Sequence, residues 1–301
     1  MVRRGLVEDL PYTEAGRAYL ATQITAFIQK HELRTIDAVC SHGHTIKHEP
    51  QNGYTLQIGN LPELSVLIGH TVVCNFRVQD VELGGQGAPL VPVGDEFLFS
   101  NYKYCLNLGG FANISTVSGG VRIAYDICPV NTVLNHYAEK LGFDFDAEGR
   151  IAASGEIIPD LLQKLDQIDF YHLSPPKSLG VEWVNSEISP LLKKHEDNIP
   201  GILRTFSVHA ATQIAKNLGN DPSSEVIITG GGAYNTFLME EIQRRTTTKV
   251  FIPPAEIVNY KEALIFGFLG VLKLRNEINV LSSVTGAKQD HSSGKVFLRE
   301  N

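Results

Sequence analysis

The sequence predicts an α/β protein whose sheet is mostly parallel and covered by helices, and three observations predict it. From residue 205 onward TFSVHAATQIAKNLG, EVIITGG, NTFLMEEIQRRT, KVFIPP and NYKEALIFGFLGVLKLRN read as helix, strand, helix, strand, helix. Residues 102–127, YKYCLNLGGFANISTVSGGVRIAYDI, read as three short strands separated by glycine turns, the pattern of antiparallel neighbours. With 301 residues, 43% of them apolar, the chain can bury two cores.

The elements follow in order. TEAGRAYLATQITAFIQKHEL (13–33) carries apolar residues at helical spacing, with Thr13 as cap. TIDAVCSH (35–42) reads as a strand, and GYTLQIG and SVLIGHTVVCNF as further strand and connecting segments. DVELGGQGAPLVP (80–92) is rich in Gly and Pro and reads as a loop around a site. After the three strands, TVLNHYAEKLG (132–142) is a helix; a short helix and a Pro-rich loop follow, and SEISPLLKKHED reads as charged and exposed. A boundary is expected between about 130 and 205, giving an N-terminal α/β domain over 1–130 and a C-terminal one over 131–301, with a C-terminal helix returning to the first.

Charge and cysteine usage exclude several classes. A net charge of −7 gives no field for nucleic acid or anionic lipid. No stretch approaches the roughly 18 apolar residues of a membrane span. MVRRGLVEDLPYTEAG has no apolar run after its arginines and so does not read as a signal peptide. Cys40, Cys74, Cys105 and Cys128 are widely spaced, which fits free thiols in a reducing, cytoplasmic setting.

Several residues could carry chemistry. EVIIT delivers the chain to Gly230, Gly231 and Gly232 before a helix, either a nucleotide contact on bare backbone or only a strand–helix turn. It is neither GxxxxGK[ST] nor GxGxxG. Gly109 and Gly110 with Asn113 pose the same alternative. Asp126 ends a strand beside a helix start, as a general base, a water-mediated magnesium ligand or a helix cap. Cys128 offers a weaker nucleophile reading. SHGHTIKH sets His42, His44 and His48 at strand spacing, for a metal or, more simply, for hydrogen bonding to a polar ligand. Arg77 could clamp a carboxylate or phosphate, or pair with Asp80. Glu262, at a helix start, could hold sugar hydroxyls or complement the helix dipole.

The order SHGHTIKH, TLQIG, FRVQDVELGGQGAPLVP, LNLGGFANIS, YDICPVN, PKSLGVEW, TGGGAYN, EALIFGFLG and VTGA resembles the anhydro-N-acetylmuramic acid kinases over almost the whole chain. The resemblance implies a two-domain sugar kinase of the actin, Hsp70 and hexokinase fold, with ATP and sugar meeting in a cleft. It implies opening of a 1,6-anhydro ring by water with phosphorylation of O6, requiring ATP and Mg2+, in cell-wall recycling, by a homodimer. Carried over by motif, Asp126 would be the base. Arg77, Gln86, Asn113 and Glu262 would contact the sugar. Gly109, Gly110, Asn131, Gly230, Gly231, Gly232 and Asn235 would hold the nucleotide; no protein metal site is expected.

Three departures accompany the resemblance. The family's N-terminal G-T-S-x-D-G hairpin is not present in the sequence, so the first hairpin of the N-terminal domain is expected to be missing. DICPVN replaces D-T-G-P-G-N, losing two glycines near phosphate, and Asn75 stands where D-F-R has aspartate. The alternative these imply is a sugar- or nucleotide-binding homologue with impaired transfer.

Overall fold

A computed structural model describes residues 14–58 and 62–299; Thr13, the expected cap of the first helix, lies outside the described residues. The chain forms two compact units, one reaching to Gly94 and resuming at Glu262, the other running from Asp95 to Lys261. Among the described residues ten strands occur: β1 Val39–Ser41, β2 His44–Glu49, β3 Tyr54–Ile58, β4 Val72–Cys74, β5 Tyr104–Leu108, β6 Phe111–Ser118, β7 Val121–Pro129, β8 Glu225–Thr229, β9 Lys249–Phe251 and β10 Lys295–Phe297.

In the first unit, β4 is central, parallel to β1 and antiparallel to β10. β2 and β3 form a separate antiparallel ribbon, irregular between Thr45 and Lys47. The Glu14–Lys30 helix lends Ala21 to a small core with Leu64, Ile68, Val72 and Cys74. SVLIGHTVVCNF divides differently from the sequence expectation: Glu63–Ile68 is a helix. Leu64 and Ile68, four residues apart, share the buried face while Val66 and Leu67 are exposed. Gly69 closes it in the left-handed conformation, its N–H returning to the Ser65 carbonyl.

The second unit is built on one five-stranded sheet, order β7-β6-β5-β8-β9. β5, β8 and β9 are parallel, and β6 and β7 are added antiparallel. The expected mostly parallel sheet is therefore mixed. β5 pairs with β8, so the three-strand run belongs to this unit and the chain passes between units at Gly94 rather than near residue 130. The Ile199–Leu218 helix, capped by the Asn198 side chain, buries Ile202, Phe206, Ala210 and Ile214 in the main core. SEISPLLKKHED exposes its acids and lysines as expected, but Ile188 and Leu192 enter the same core. Their four-residue spacing puts them on one face, with the charges left outside.

Leu106, on the central strand with no exposed surface, and Val117, 48% exposed on β6, bracket the energetics. Leu106→Ala is expected to cost about 2–5 kcal/mol. Val117→Ala is expected to cost less than about 1 kcal/mol. Urea midpoints of the two variants against wild type check this.

Candidate active site

The carboxyl ends of β5 and β8 lie side by side, with Asn107 the register partner of Thr229. Each strand runs straight into glycines. Gly230 has φ +84°, and a Cβ there would stand 2.7 Å from the Leu108 carbonyl oxygen, so the two turns can touch only without a side chain. Asn131 is fastened to the first turn: its N–H donates to the Gly109 carbonyl (3.3 Å) and its Nδ2 to the Leu108 carbonyl (3.3 Å). The Gly110 carbonyl accepts from the N–H groups of Val130 (2.8 Å) and Thr132 (3.1 Å). Gly231 is exposed, and a Cβ added to it would meet nothing nearer than Asn131 Nδ2 at 3.9 Å. Gly109, Gly110, Asn131, Gly230 and Gly231 thus lie together at strand carboxyl ends, where α/β sheets receive ligands, with Gly231 and Gly110 exposed and Gly232 buried against Leu108. Asn235 is used otherwise: its Oδ1 accepts the Leu238 N–H (3.0 Å) and caps the Thr236–Gln243 helix.

Asp126 sits in β7 opposite Asn113 of β6. Ala112 pairs with Cys128 and Asn113 with Asp126, so Ile127 is an extra residue, and such a bulge re-aims the side chain beside it. Asp126 caps no helix; the Asn131–Glu139 helix follows Val130 and has no side-chain cap. A segment from sequence-distant residues runs along Asp126. Its N–H donates to the Lys177 carbonyl (3.0 Å), and the Leu179 N–H donates to its Oδ2 (2.8 Å). Burial pushes the Asp126 carboxyl above the usual carboxylate range, and the Leu179 N–H pulls part of the way back. Lys177 is fixed by donating to the Phe170 carbonyl (3.0 Å) while lying over the Phe170 ring (4.6 Å).

Cys128 has no exposed surface, and its Sγ lies 3.9 Å from the Ala210 carbonyl. Burial drives its thiol well above the ordinary range, so it is a core residue and not a nucleophile. All four cysteines are free, and none shows the lowered pKa of a reactive thiol.

The remaining predicted residues belong to the first unit. Arg77 is half-buried; its Nη1 donates to the Gly87 carbonyl (2.7 Å), and its Nε (3.1 Å) and Nη2 (2.6 Å) both reach His42 Nε2. Burial lowers the Arg77 pKa, while Glu262 foremost and then Asp80 favour its charge. The Arg77–Asp80 hydrogen-bonded pair considered from sequence does not form; Asp80 accepts instead from the Gly87 N–H and the Thr285 hydroxyl. Gln86 is exposed at the tip of the GGQG turn, its N–H on the Thr285 carbonyl (2.8 Å), and Glu262 is exposed at the point where this unit resumes.

The histidines separate. His42 is spent on Arg77 and packs edge-on against Phe266 (4.4 Å), and burial plus the guanidinium lower its pKa to about 4. The imidazole is therefore neutral, with Nε2 as acceptor. His44 is exposed, and His48 Nδ1 meets Thr55 Oγ1 at 3.0 Å. No cluster of three His, Cys, Asp or Glu side chains suited to a metal exists among the described residues. Sequence reasoning missed three things: His42 as the partner of Arg77, the 177–179 segment on Asp126, and Asp80. Only Asp80 left a local trace, lying five and seven residues before the two glycines it contacts.

Comparison with known proteins finds matches along most of the chain. The family model described as anhydro-N-acetylmuramic acid kinase matches residues 11–299. A protein of that name from Pseudomonas fluorescens is 34% identical over 302 residues, covering 92% of this chain and 81% of the relative. Those from Haemophilus influenzae and Variovorax paradoxus are each 32% identical, covering 92% and 87% of this chain and 80% and 76% of the relative. Among solved structures, component A of the Acidaminococcus fermentans (R)-2-hydroxyglutaryl-CoA dehydratase aligns over 58% of this chain and 63% of its own, at TM-score 0.37 and 18% identity.

His42, His48 and His209 all have lowered pKa values in the fold, mainly through burial. The unfolded chain takes up their protons first as pH falls, so their contribution is complete above the unfolded value near 6.5 and is lost below it, for His42 down to about 4. Urea midpoints should be flat in this respect above pH 7 and decline from pH 6.5 to 4.5. His42→Gln, which keeps an acceptor for Arg77, should remove part of that slope.

Proposed function

The chain belongs to the anhydro-N-acetylmuramic acid kinase family, and from that premise we propose that it uses ATP and water to convert 1,6-anhydro-N-acetylmuramic acid into N-acetylmuramic acid 6-phosphate. The observation that carries this reading is the family match over residues 11–299. The geometry at Asp126 supports the chemistry. Water attacks C1, the C1–O6 bond breaks, O6 takes the γ-phosphoryl group as that group's bond to the β,γ-bridging oxygen breaks and ADP leaves, and the water proton passes to Asp126. A base is most useful when its pKa approaches the working pH, and burial moves Asp126 in that direction. With Oδ2 on the Leu179 N–H, Oδ1 is the oxygen offered to water.

The exposed backbone at Gly231, where a side chain would meet nothing nearer than 3.9 Å, suits the approach of a phosphate chain, while the N–H groups of Gly109 and Gly230 are taken by the Phe111 and Val258 carbonyls. Gly109, Gly110, Asn131 and Gly230–Gly232 are assigned to the nucleotide. Asn235 acts there through the helix it caps. Arg77, Gln86, Glu262 and Asn113 are assigned to the sugar. Magnesium, arriving on the nucleotide phosphates, would offset charge during transfer. Assembly as a homodimer, a cytoplasmic setting and a place in cell-wall amino-sugar recycling are part of the same proposal and rest on the family alone.

An ADP-release assay with Mg-ATP, with and without the anhydro sugar, tests the reading. Release should depend on the sugar. Asp126→Asn should lower kcat by about 10²–10⁴-fold, with ATP-analogue binding within a few-fold of wild type. Sugar-independent release, or a full rate in Asp126→Asn, would sink it.

A further inference from the structure

We propose that Asp80 is a positioning residue for the sugar side of the reaction: it locks the Gly84–Gly87 turn and, through one glycine, sets the direction of the Arg77 guanidinium. The proposal rests on the assignment of Arg77 and Gln86 to the sugar.

Asp80 has no exposed surface. Its Oδ2 accepts the Gly87 N–H at 2.6 Å, and its Oδ1 accepts the Thr285 hydroxyl at 2.7 Å with His291 Nε2 at 3.7 Å. Its own carbonyl accepts the Gly85 N–H at 2.8 Å. Gly85 lies so close that a Cβ would stand 2.2 Å from Oδ2, and Gly87 adopts φ +68°. Both glycines flanking Gln86 are thus held by one residue, Gly87 by the Asp80 carboxylate and Gly85 by the Asp80 main-chain carbonyl with the carboxylate packed against it. Gly85 and Gly87 are buried while Gln86 stands out to solvent.

The connection to Arg77 runs through Gly87. Its N–H is held by Asp80, and its carbonyl holds Arg77 Nη1 at 2.7 Å. His42 takes the other side of the guanidinium. The Gln86 N–H is fixed by the Thr285 carbonyl, and the Thr285 hydroxyl returns to Asp80. Arg77, Gln86 and the 281–288 segment therefore share one buried anchor. A carboxylate at this depth is tolerable only while its hydrogen bonds persist. Moving the turn would orphan it, so the turn is held in one arrangement before any ligand arrives, which is the condition for efficient orientation.

A hydroxyl deletion separates this role from general support of the fold. Thr285→Val removes the donor to Oδ1 at nearly constant volume, and Thr285→Ser restores it. Asp80→Asn replaces one acceptor by a donor. In the sugar-dependent assay, Asp80→Asn and Thr285→Val should raise KM for the anhydro sugar by about 10-fold or more, since a misplaced contact can cost up to about 10²-fold. The KM for ATP should stay within about two-fold, and Thr285→Ser should recover the wild-type value. Amide exchange should accelerate over 84–88 in both damaged variants. A folded Asp80→Asn with accelerated exchange but unchanged sugar KM, or unchanged exchange over 84–88, overturns the proposal. If wild type neither binds nor turns over the sugar, the kinase reading fails instead, and exchange at Gly87 still decides whether Asp80 holds the turn.

Discussion

The parallel pairing of β5 with β8 is the constraint on which the second unit depends. It fixes Asn107 opposite Thr229 and brings two glycine turns, over a hundred residues apart in sequence, into contact at Gly230 and Leu108. The hairpin β5–β6–β7 is then carried rigidly from the same strand, so the bulge at Ile127 stands at a fixed offset from the glycines. Asp126 and the bare backbone around Gly231 are therefore positioned by strand register, which is less compliant than loop packing. Register is itself protected: a one-residue slip would turn Leu106 and Leu108 away from the core.

Much of this was legible. The alternating segments after residue 205 and the three-strand run emerged near their expected places because hydrophobic period and glycine punctuation are local signals. The accessible glycine turns could be read from residue type alone. What escaped was non-local. Leu179 reaches Asp126 across 53 positions and Thr285 reaches Asp80 across 205, and no periodicity encodes either contact. The Glu63–Ile68 helix escaped because six residues of mixed apolar character suit a strand as well as a short helix. Asn235 carried two compatible readings, ligand contact and helix cap, and the cap is the one whose hydrogen bond is present.

The same geometry bears on two of the sequence departures. Asn75 has φ +61°, a left-handed conformation that asparagine and aspartate both enter more readily than most residues, so the exchange is compatible with the backbone there. The family's two glycines in the segment after Asp126 are Cys128 and Val130 here, which at first sight would crowd a phosphate. Both have no exposed surface. Cys128 is turned toward the Ala210 carbonyl of the long helix, and Val130 belongs to the same core.

That arrangement bears on whether transfer is impaired. A side chain hinders a ligand only where it occupies the ligand's path, and a fully buried one occupies the core instead. The Val130 N–H still donates to the Gly110 carbonyl at 2.8 Å, and Asn131 still bridges to Leu108 and Gly109. The backbone at these two positions is carried by residues whose side chains are buried in the core. Substitution at these two positions thus changes what the strand end packs against, through the Cys128 and Val130 side chains. It leaves in place the Gly109–Gly110 turn, the Gly230–Gly232 turn and the carboxylate of Asp126, which are the groups the proposed reaction uses.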